Sequence, residues 1–276
     1  MTIEKAVIPA AGYGTRARPL SKAVPKELFP VDEYDRPVIH YVVKEALDAG
    51  IDKIGIITRD EKKIRKYFEE DMNKEKLRQK GERELLKDVE KVEDMGKHIE
   101  YIEQKEQEGL GHAVLQAKDF VKGDDFAVLF GDSFFNVYEE ENPLKDMIEL
   151  YEELDGASIV GAEIYEGEEA SSHGMMEVEK IREGLYDILD LEEKPKDWRK
   201  YSNKGTSCRD ILTSGIMETL EETEYGKGNE LQLTDAIANN IKENGEKAYA
   251  YVLPYQRYHV SRRGDRFEAE KSISGL

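Results

Sequence analysis

Residues 6–16 read AVIPAAGYGTR, and residues 17–27 continue ARPLSKAVPKE. The apolar run from Ala6 to Pro9 is short, rich in branched side chains and followed at once by Gly12 and Gly14, the pattern of a buried strand feeding a glycine loop. Two glycines at that place let backbone N–H groups turn toward an anion, as phosphate-binding loops require. No Gly-Lys-Ser/Thr closes the loop, so it is not a Walker loop. Gly12-x-Gly14-x-x-Ala17 matches the dinucleotide pattern formally. A dinucleotide loop must run on into a helix, however, and Pro19 and Pro25 interrupt one here. Arg16, Arg18, Lys22 and Lys26 all precede Glu27, the first acid after the glycines. That local positive cluster suits a triphosphate better than a ribose hydroxyl.

Outward from the loop, 38–49 (VIHYVVKEALDA) has helical spacing and stops at Gly50, and 53–58 (KIGIIT) is a second strand. From Asp60 to Lys97 charge dominates with apolar residues at helical intervals, which predicts two solvated helices. Strands follow at 99–102 and 126–130, separated by a helix at 111–120. A helix at 143–154 and a strand at 158–162 come next. Strands alternating with helices predict an α/β, Rossmann-like three-layer α/β/α fold with a mostly parallel central mixed sheet. Beyond residue 165 the pattern loosens into strands at 175–178, 188–191, 211–217 and 248–253 around a helix at 233–244, a small additional β region. No linker or internal repeat is present, so residues 1–276 are expected to form a single domain, in two parts at about 1–165 and about 166–276.

The 276 residues carry 41 Lys and Arg against 60 Asp and Glu, a formal net charge of −19. That balance argues against nucleic-acid and anionic-membrane partners. No run approaches the ~18 apolar residues of a membrane-spanning helix, and no signal peptide is visible. Cys208 stands alone, which excludes an internal disulfide and fits a cytoplasmic location.

The stretch Val7 to Arg16, followed by KAVPKELFP at 22–30, resembles the signature of bacterial-type UTP–glucose-1-phosphate uridylyltransferases, members of the sugar-nucleotide nucleotidyltransferases. Further stretches stand in the family's order: YVVKE at 41–45, GLGHAVL at 109–115, Gly131-Asp132, EKPK at 193–196 and ELQLTDAI at 230–237. The resemblance runs from residue 5 to about 253, and it implies a nucleotide-binding part at about 1–165 and a sugar-binding part at about 166–276. It implies attack of a sugar 1-phosphate oxygen on the α-phosphorus of UTP, with pyrophosphate leaving, and small-molecule substrates UTP and glucose 1-phosphate. Such a transfer depends on charge neutralisation and in-line placement more than on covalent chemistry. Another nucleotide or sugar, or a catalytically weak nucleotide-sugar-binding homologue, remains an alternative at this stage. A homo-oligomer is expected.

By the same resemblance, Ala10, Ala11, Gly12, Gly14, Thr15, Arg16, Lys26, Gln104 and Gly109 face the nucleotide. Arg16 and Lys26 grip the leaving pyrophosphate, Gln104 reads uracil and Asp132 holds Mg²⁺ at the α-phosphate. On the sugar side, Gly174 meets the sugar with its backbone, Glu193 takes glucose hydroxyls and Lys194 contacts the sugar phosphate. Arg16, Lys26, Asp132 and Lys194 are thus the expected catalytic residues. His112 is expected to pack or cap its helix. The chain also departs from the family pattern. A His-Asp-x-Gly run that supplies a second metal carboxylate stands here as His259-Val260-Ser261, which puts Val260 in the carboxylate's place. Asp265 could restore that carboxylate only if its loop folds back.

Overall fold

The computed structural model describes residues 2–137 and 141–273. Strand β1 (Lys5–Pro9) lies inside a nine-stranded sheet, and its alternate side chains enter two different cores. Ala6 and Ile8 pack in one cluster and Val7 in the other, because successive strand residues point to opposite faces. The first core is closed by α1 (Val38–Asp48), whose Val38, Ile39, Val42, Val43 and Ala46 form one buried stripe.

β2 (Lys53–Thr58) pairs parallel with β1. The charged excursion that follows makes three helices where two were expected: α2 (Glu61–Phe68), α3 (Lys74–Lys80) and α4 (Arg83–Gly96). The extra break falls at Gly81, which ends α3 in the left-handed conformation at φ +75°. β3 (Ile99–Glu103) returns to the sheet beside β2. The next helix also divides, into α5 (Leu110–Leu115) and α6 (Lys118–Val121). β4 (Phe126–Leu129) then pairs parallel with the other side of β1. After β5 (Ser133–Asn136) and α7 (Pro143–Glu153), β6 (Ser158–Ile164) enters the sheet.

β7 (Gly174–Arg182) and β8 (Leu185–Glu193) form a long hairpin at one sheet edge. The strand expected at 211–217 is instead β9 (Lys204–Leu212), running antiparallel between β4 and β6; Ile216 opens α8 (Ile216–Glu222). Its signal was hidden because β9 buries Arg209 and Asp210 in place of apolar residues, and Thr213-Ser214-Gly215 then turns the chain. α9 (Leu233–Asn244), β10 (Ala248–Val252), β11 (Gln256–His259) and α10 (Asp265–Ile273) complete the order. The sheet reads β3-β2-β1-β4-β9-β6-β10-β8-β7, and β11 pairs with β5 in a separate two-stranded ribbon. Connections leave β1 for neighbours on both sides, so the carboxyl ends of β1 and β4 form the switch point at which open α/β sheets take ligands.

Candidate active site

At that switch point the backbone of β1 opens into the glycine loop. The Ala10 amide donates to the Ile57 carbonyl (2.7 Å), and the Gly131 amide donates to the Pro9 carbonyl (3.2 Å), so the ends of β2, β1 and β4 are tied side by side. Short 3₁₀ turns at Thr15–Ala17, Leu20–Lys22 and Lys26–Leu28 follow the loop in place of a helix, as the prolines require. Gly14 sits at φ +58°, and a Cβ there would stand 3.0 Å from that of Ser21, so only glycine fits without displacing the turn. Ser21 Oγ closes the loop by donating to the Gly14 carbonyl (2.6 Å). Ala10, Ala11, Gly12, Gly14 and Lys26 line one small cavity of about 30 Å³, joined by Thr58, Arg59 and Lys63. Thr15 and Arg16, next in the chain after Gly14, are exposed and do not line it.

Lys26 and Asp132 meet directly. The ammonium Nζ donates to Asp132 Oδ2, and both side chains are 14% exposed. Glu27 lies beneath them, 1% exposed, with its Oε1 4.0 Å from Lys26 Nζ and its Oε2 without a hydrogen-bond partner. Burial pushes the Glu27 carboxyl up to about 7, against the opposing charge of Lys26. Burial alone would raise Asp132 as well. The Lys26 ammonium and the His259 ring outweigh it and hold Asp132 well below the ordinary carboxylate range. Burial likewise opposes the charge on Lys26, but Asp132 and Glu27 overcome it and raise its pKa. The result is a fixed charge pair at the floor of a loop rimmed by arginine and lysine.

His259, which the sequence reading gave no role, stands beside Asp132. β11 pairs antiparallel with β5, with His259 opposite Ser133, and the Val260 amide donates to the Asp132 carbonyl (2.9 Å). Strand alternation sends Tyr258 and Val260 into the core and leaves His259 on the site face, its Nε2 3.2 Å from Asp132 Oδ2. Val260 is 1% exposed, and its side chain packs in the first core next to Asp132. Asp265 does not fold back to Asp132 as a substitute. Its Oδ2 accepts from the Ser261 and Arg262 amides (2.8 and 2.6 Å), which fixes the turn into α10.

Gln104 follows β3, where its amide N–H donates to the Thr58 carbonyl (3.2 Å). Its side chain is 2% exposed, and Nε2 stands 2.9 Å from His112 Nδ1 on α5. The His112 ring thus orients the Gln104 side chain. From Gln104 to Asp132 the carboxyl ends cross β3, β2, β1 and β4, about 14 Å at the usual strand spacing. Gly109, at φ +113°, packs against the Leu231 carbonyl, which a Cβ would approach to 2.4 Å. The Gly111 amide donates to that carbonyl (2.9 Å), and the Leu231 amide donates to the Glu108 carbonyl (2.7 Å). These contacts lock the Gly-Leu-Gly and Leu-Gln-Leu-Thr stretches together.

The expected sugar residues gather at the base of the β7–β8 hairpin. Gly174 is paired with Glu193, and a Cβ on it would meet Thr234 Cγ2 at 2.8 Å and Glu193 Oε2 at 3.2 Å. Thr234 does not cap α9; its Oγ1 donates to Glu193 Oε2 (3.2 Å). Lys194 Nζ donates to Glu193, and the Lys194 backbone is held at φ +48°, a left-handed conformation costly for a non-glycine residue and typical of functional sites. Beside this cluster the Arg257 guanidinium forks onto Glu163 with both bonds at 2.7 Å.

The donor set can be tested against a divalent cation. Among the described residues no three His, Cys, Asp or Glu side chains converge as a self-sufficient metal cage. Asp132 with His259 offers two donors, which fits an ion that brings its other ligands on a nucleotide. A second cavity, about 1330 Å³, opens between α1 and the α2–α4 excursion, lined by His40, Tyr67 and Val92 among others. It lies away from the strand ends that carry these groups.

A glycine loop over a buried lysine–carboxylate pair, at the switch point of a sheet of this order, is the framework of a nucleotide-transferring fold. The family model described as nucleotidyl transferase matches residues 5–256, and the chain belongs to that family. Its relatives include the UTP–glucose-1-phosphate uridylyltransferase YngB of Bacillus subtilis, 37% identical over 273 residues, 98% of this chain and 89% of that protein. A protein of the same enzyme name from Staphylococcus epidermidis is 38% identical over 264 residues, 95% of this chain and 88% of that protein. A UDP-glucose pyrophosphorylase solved with UDP-glucose matches at a TM-score of 0.87 and 34% identity over 99% of each chain. A UTP-bound UGPase from Acinetobacter baumannii matches at 0.86 and 33%, covering 97% of this chain and 92% of that one.

Proposed function

We propose that this protein is a single working unit that transfers the uridylyl group of UTP to glucose 1-phosphate, releasing pyrophosphate. The observation that carries the reading is the Lys26–Asp132 pair, whose lysine lines the glycine-loop cavity. One member can neutralise phosphate charge and the other can hold a cation, which is what in-line transfer between phosphates demands. Gln104 reads the base. With Nε2 turned inward to His112, its Oε1 is left to accept the uracil N3–H. The backbone of Ala10 to Gly14 cradles the phosphates. Arg16 offers a bidentate fork and Lys26 a point charge to the departing pyrophosphate.

Across the cleft, Glu193 accepts from glucose hydroxyls while Thr234 holds its second oxygen, and Lys194 meets the sugar phosphate. Gly174 keeps the sugar-facing surface free of a side chain. A divalent ion, Mg²⁺ in the simplest case, would be held by Asp132 and would supply charge stabilisation at the α-phosphate when bound. Among the described residues no helix is long and apolar enough to cross a membrane, in keeping with a reaction between two water-soluble substrates.

The test is pyrophosphate release from a panel of nucleoside triphosphates and sugar 1-phosphates. The reading expects UTP with glucose 1-phosphate to give the highest kcat/KM. Saturable UTP binding with no pyrophosphate from any pair would instead mark a nucleotide-sugar-binding homologue.

A further inference from the structure

The register of β11 puts a ring nitrogen beside Asp132, from the residue just before the position at which the family resemblance implied a second carboxylate. His259 stands opposite Ser133, the residue after Asp132, and the bond from the Val260 amide to the Asp132 carbonyl fixes that register. His259 Nε2 and Asp132 Oδ2 are 3.2 Å apart. Two cis donors on an octahedral ion with bonds of about 2.1 Å are separated by about 3 Å. In this structure that separation is a hydrogen bond, and an ion taking the place of its proton would meet one nitrogen and one oxygen donor. The His259 side chain remains 36% exposed toward the site, whereas Asp132 is 14% exposed, so a third party can reach the edge from the substrate side.

We propose that His259, through Nε2, is the second protein ligand of the divalent ion that arrives with UTP, and that this nitrogen shifts the preference of the site from Mg²⁺ toward Mn²⁺ and Co²⁺. Mg²⁺ is a hard ion that selects oxygen donors, whereas imidazole suits first-row transition ions, and a mixed nitrogen–oxygen pair ranks them in that order. The inference rests on the reading of Asp132 as the metal carboxylate. Lys26 holds the same Oδ2, so an ion bound there would take the place of the ammonium, which would be left to the nucleotide phosphates. Arg257, two residues earlier on the same strand face, is paired with Glu163 and not with Asp132.

The experiment uses the whole chain with UTP and Mn²⁺ and no sugar phosphate, so that nothing turns over. Pulsed electron paramagnetic resonance reads nitrogen-14 coupling to the bound Mn²⁺, and calorimetry on the same samples reads UTP binding. Wild type should show the coupling of a directly bound imidazole nitrogen, and His259→Ala and His259→Asp should lack it. Mg²⁺ competition should require about tenfold more Mg²⁺ than Mn²⁺ for half-displacement in wild type. That ratio should fall toward unity in His259→Asp, where two oxygens again face the ion. Bound Mn²⁺ without nitrogen coupling, together with normal UTP binding, overturns this inference and leaves the nucleotide reading intact. An unchanged Mn²⁺-to-Mg²⁺ ratio in His259→Asp overturns it equally. Failure of UTP to bind overturns both. The wild-type spectrum decides the matter even if a variant folds poorly.

Discussion

Asp210 offers a measurable consequence of how β9 is buried. It lies in register with Val128 of β4 and Val160 of β6, both packed in the same core, and is 4% exposed with Oδ1 unpartnered. Burial pushes its carboxyl up to about 7 from its ordinary 3.8, against the Gly161 backbone and the Arg209 charge, which both favour the ionised form. Below the unfolded value, folded and unfolded chains are both protonated and the residue adds no pH dependence. Between 3.8 and about 7 the unfolded chain gives up the proton while the folded chain keeps it, so stability falls as pH rises. Above about 7 both are ionised and the loss is complete. At about 1.4 kcal/mol per unit, a shift of roughly three units costs up to about 4 kcal/mol. Asp210→Asn removes the ionisation at nearly constant shape. Urea unfolding across pH 4 to 8.5 should therefore show the variant gaining on wild type as pH rises, with most of the change between pH 4.5 and 7. A stability difference that is flat with pH, or that favours wild type more at pH 8 than at pH 5, would refute this account of β9.

Gln104→Leu should weaken UTP by about 1–3 kcal/mol, the cost of unpaired buried polar groups, and should erase discrimination between UTP and CTP; equilibrium dialysis with both nucleotides checks it, and retained discrimination would place base reading elsewhere. Glu45→Gln leaves the fully buried Arg209 without the carboxylate it forks at 2.7 and 2.9 Å. The expected loss is about 3–5 kcal/mol, read by denaturant unfolding, with a raised KM because Arg209 also donates to the Ser133 carbonyl (3.0 Å) beside Asp132. Val260→Asp should not restore a metal carboxylate but should place an unpaired charge in the core, costing several kcal/mol; a stable variant with tighter Mg²⁺ binding would contradict the β11 register.

The parallel half of the sheet was legible because β1, β2 and β4 are near-continuous apolar runs bounded by glycine and charge, and strands buried on both faces read that way. β9 was misplaced because Arg209, bound to Glu45, and Asp210 break the apolar pattern that periodicity relies on. Nothing local marks either residue as interior, since the partner of Arg209 lies 164 positions earlier. YVVKE at 41–45 was recognised by resemblance alone, and its Glu45 now has a physical role as the anchor that brings β9 onto α1. The extra helix boundary at Gly81 was readable in principle from its place after Lys80 as a C-cap.

The site divides along the same line. A glycine loop does its work with backbone, so its geometry is carried by local sequence, and Gly12, Gly14 and Lys26 fall where that sequence puts them. The metal side needs two strands that meet across 127 positions, and there the outcome depends on register. Side chains alternate with a period of two, so an assignment displaced by one residue reverses which of His259 and Val260 faces the ligand and which enters the core. Arg257, Tyr258, His259 and Val260 already alternate polar with apolar. That alternation identifies His259 as the site-facing member, provided the segment is recognised as a strand. At four residues β11 is too short to declare itself, and its pairing with β5 supplies the missing constraint. What decides the second donor beside Asp132 is therefore the parity of a strand, and the substitution that tests a lost carboxylate is His259→Asp.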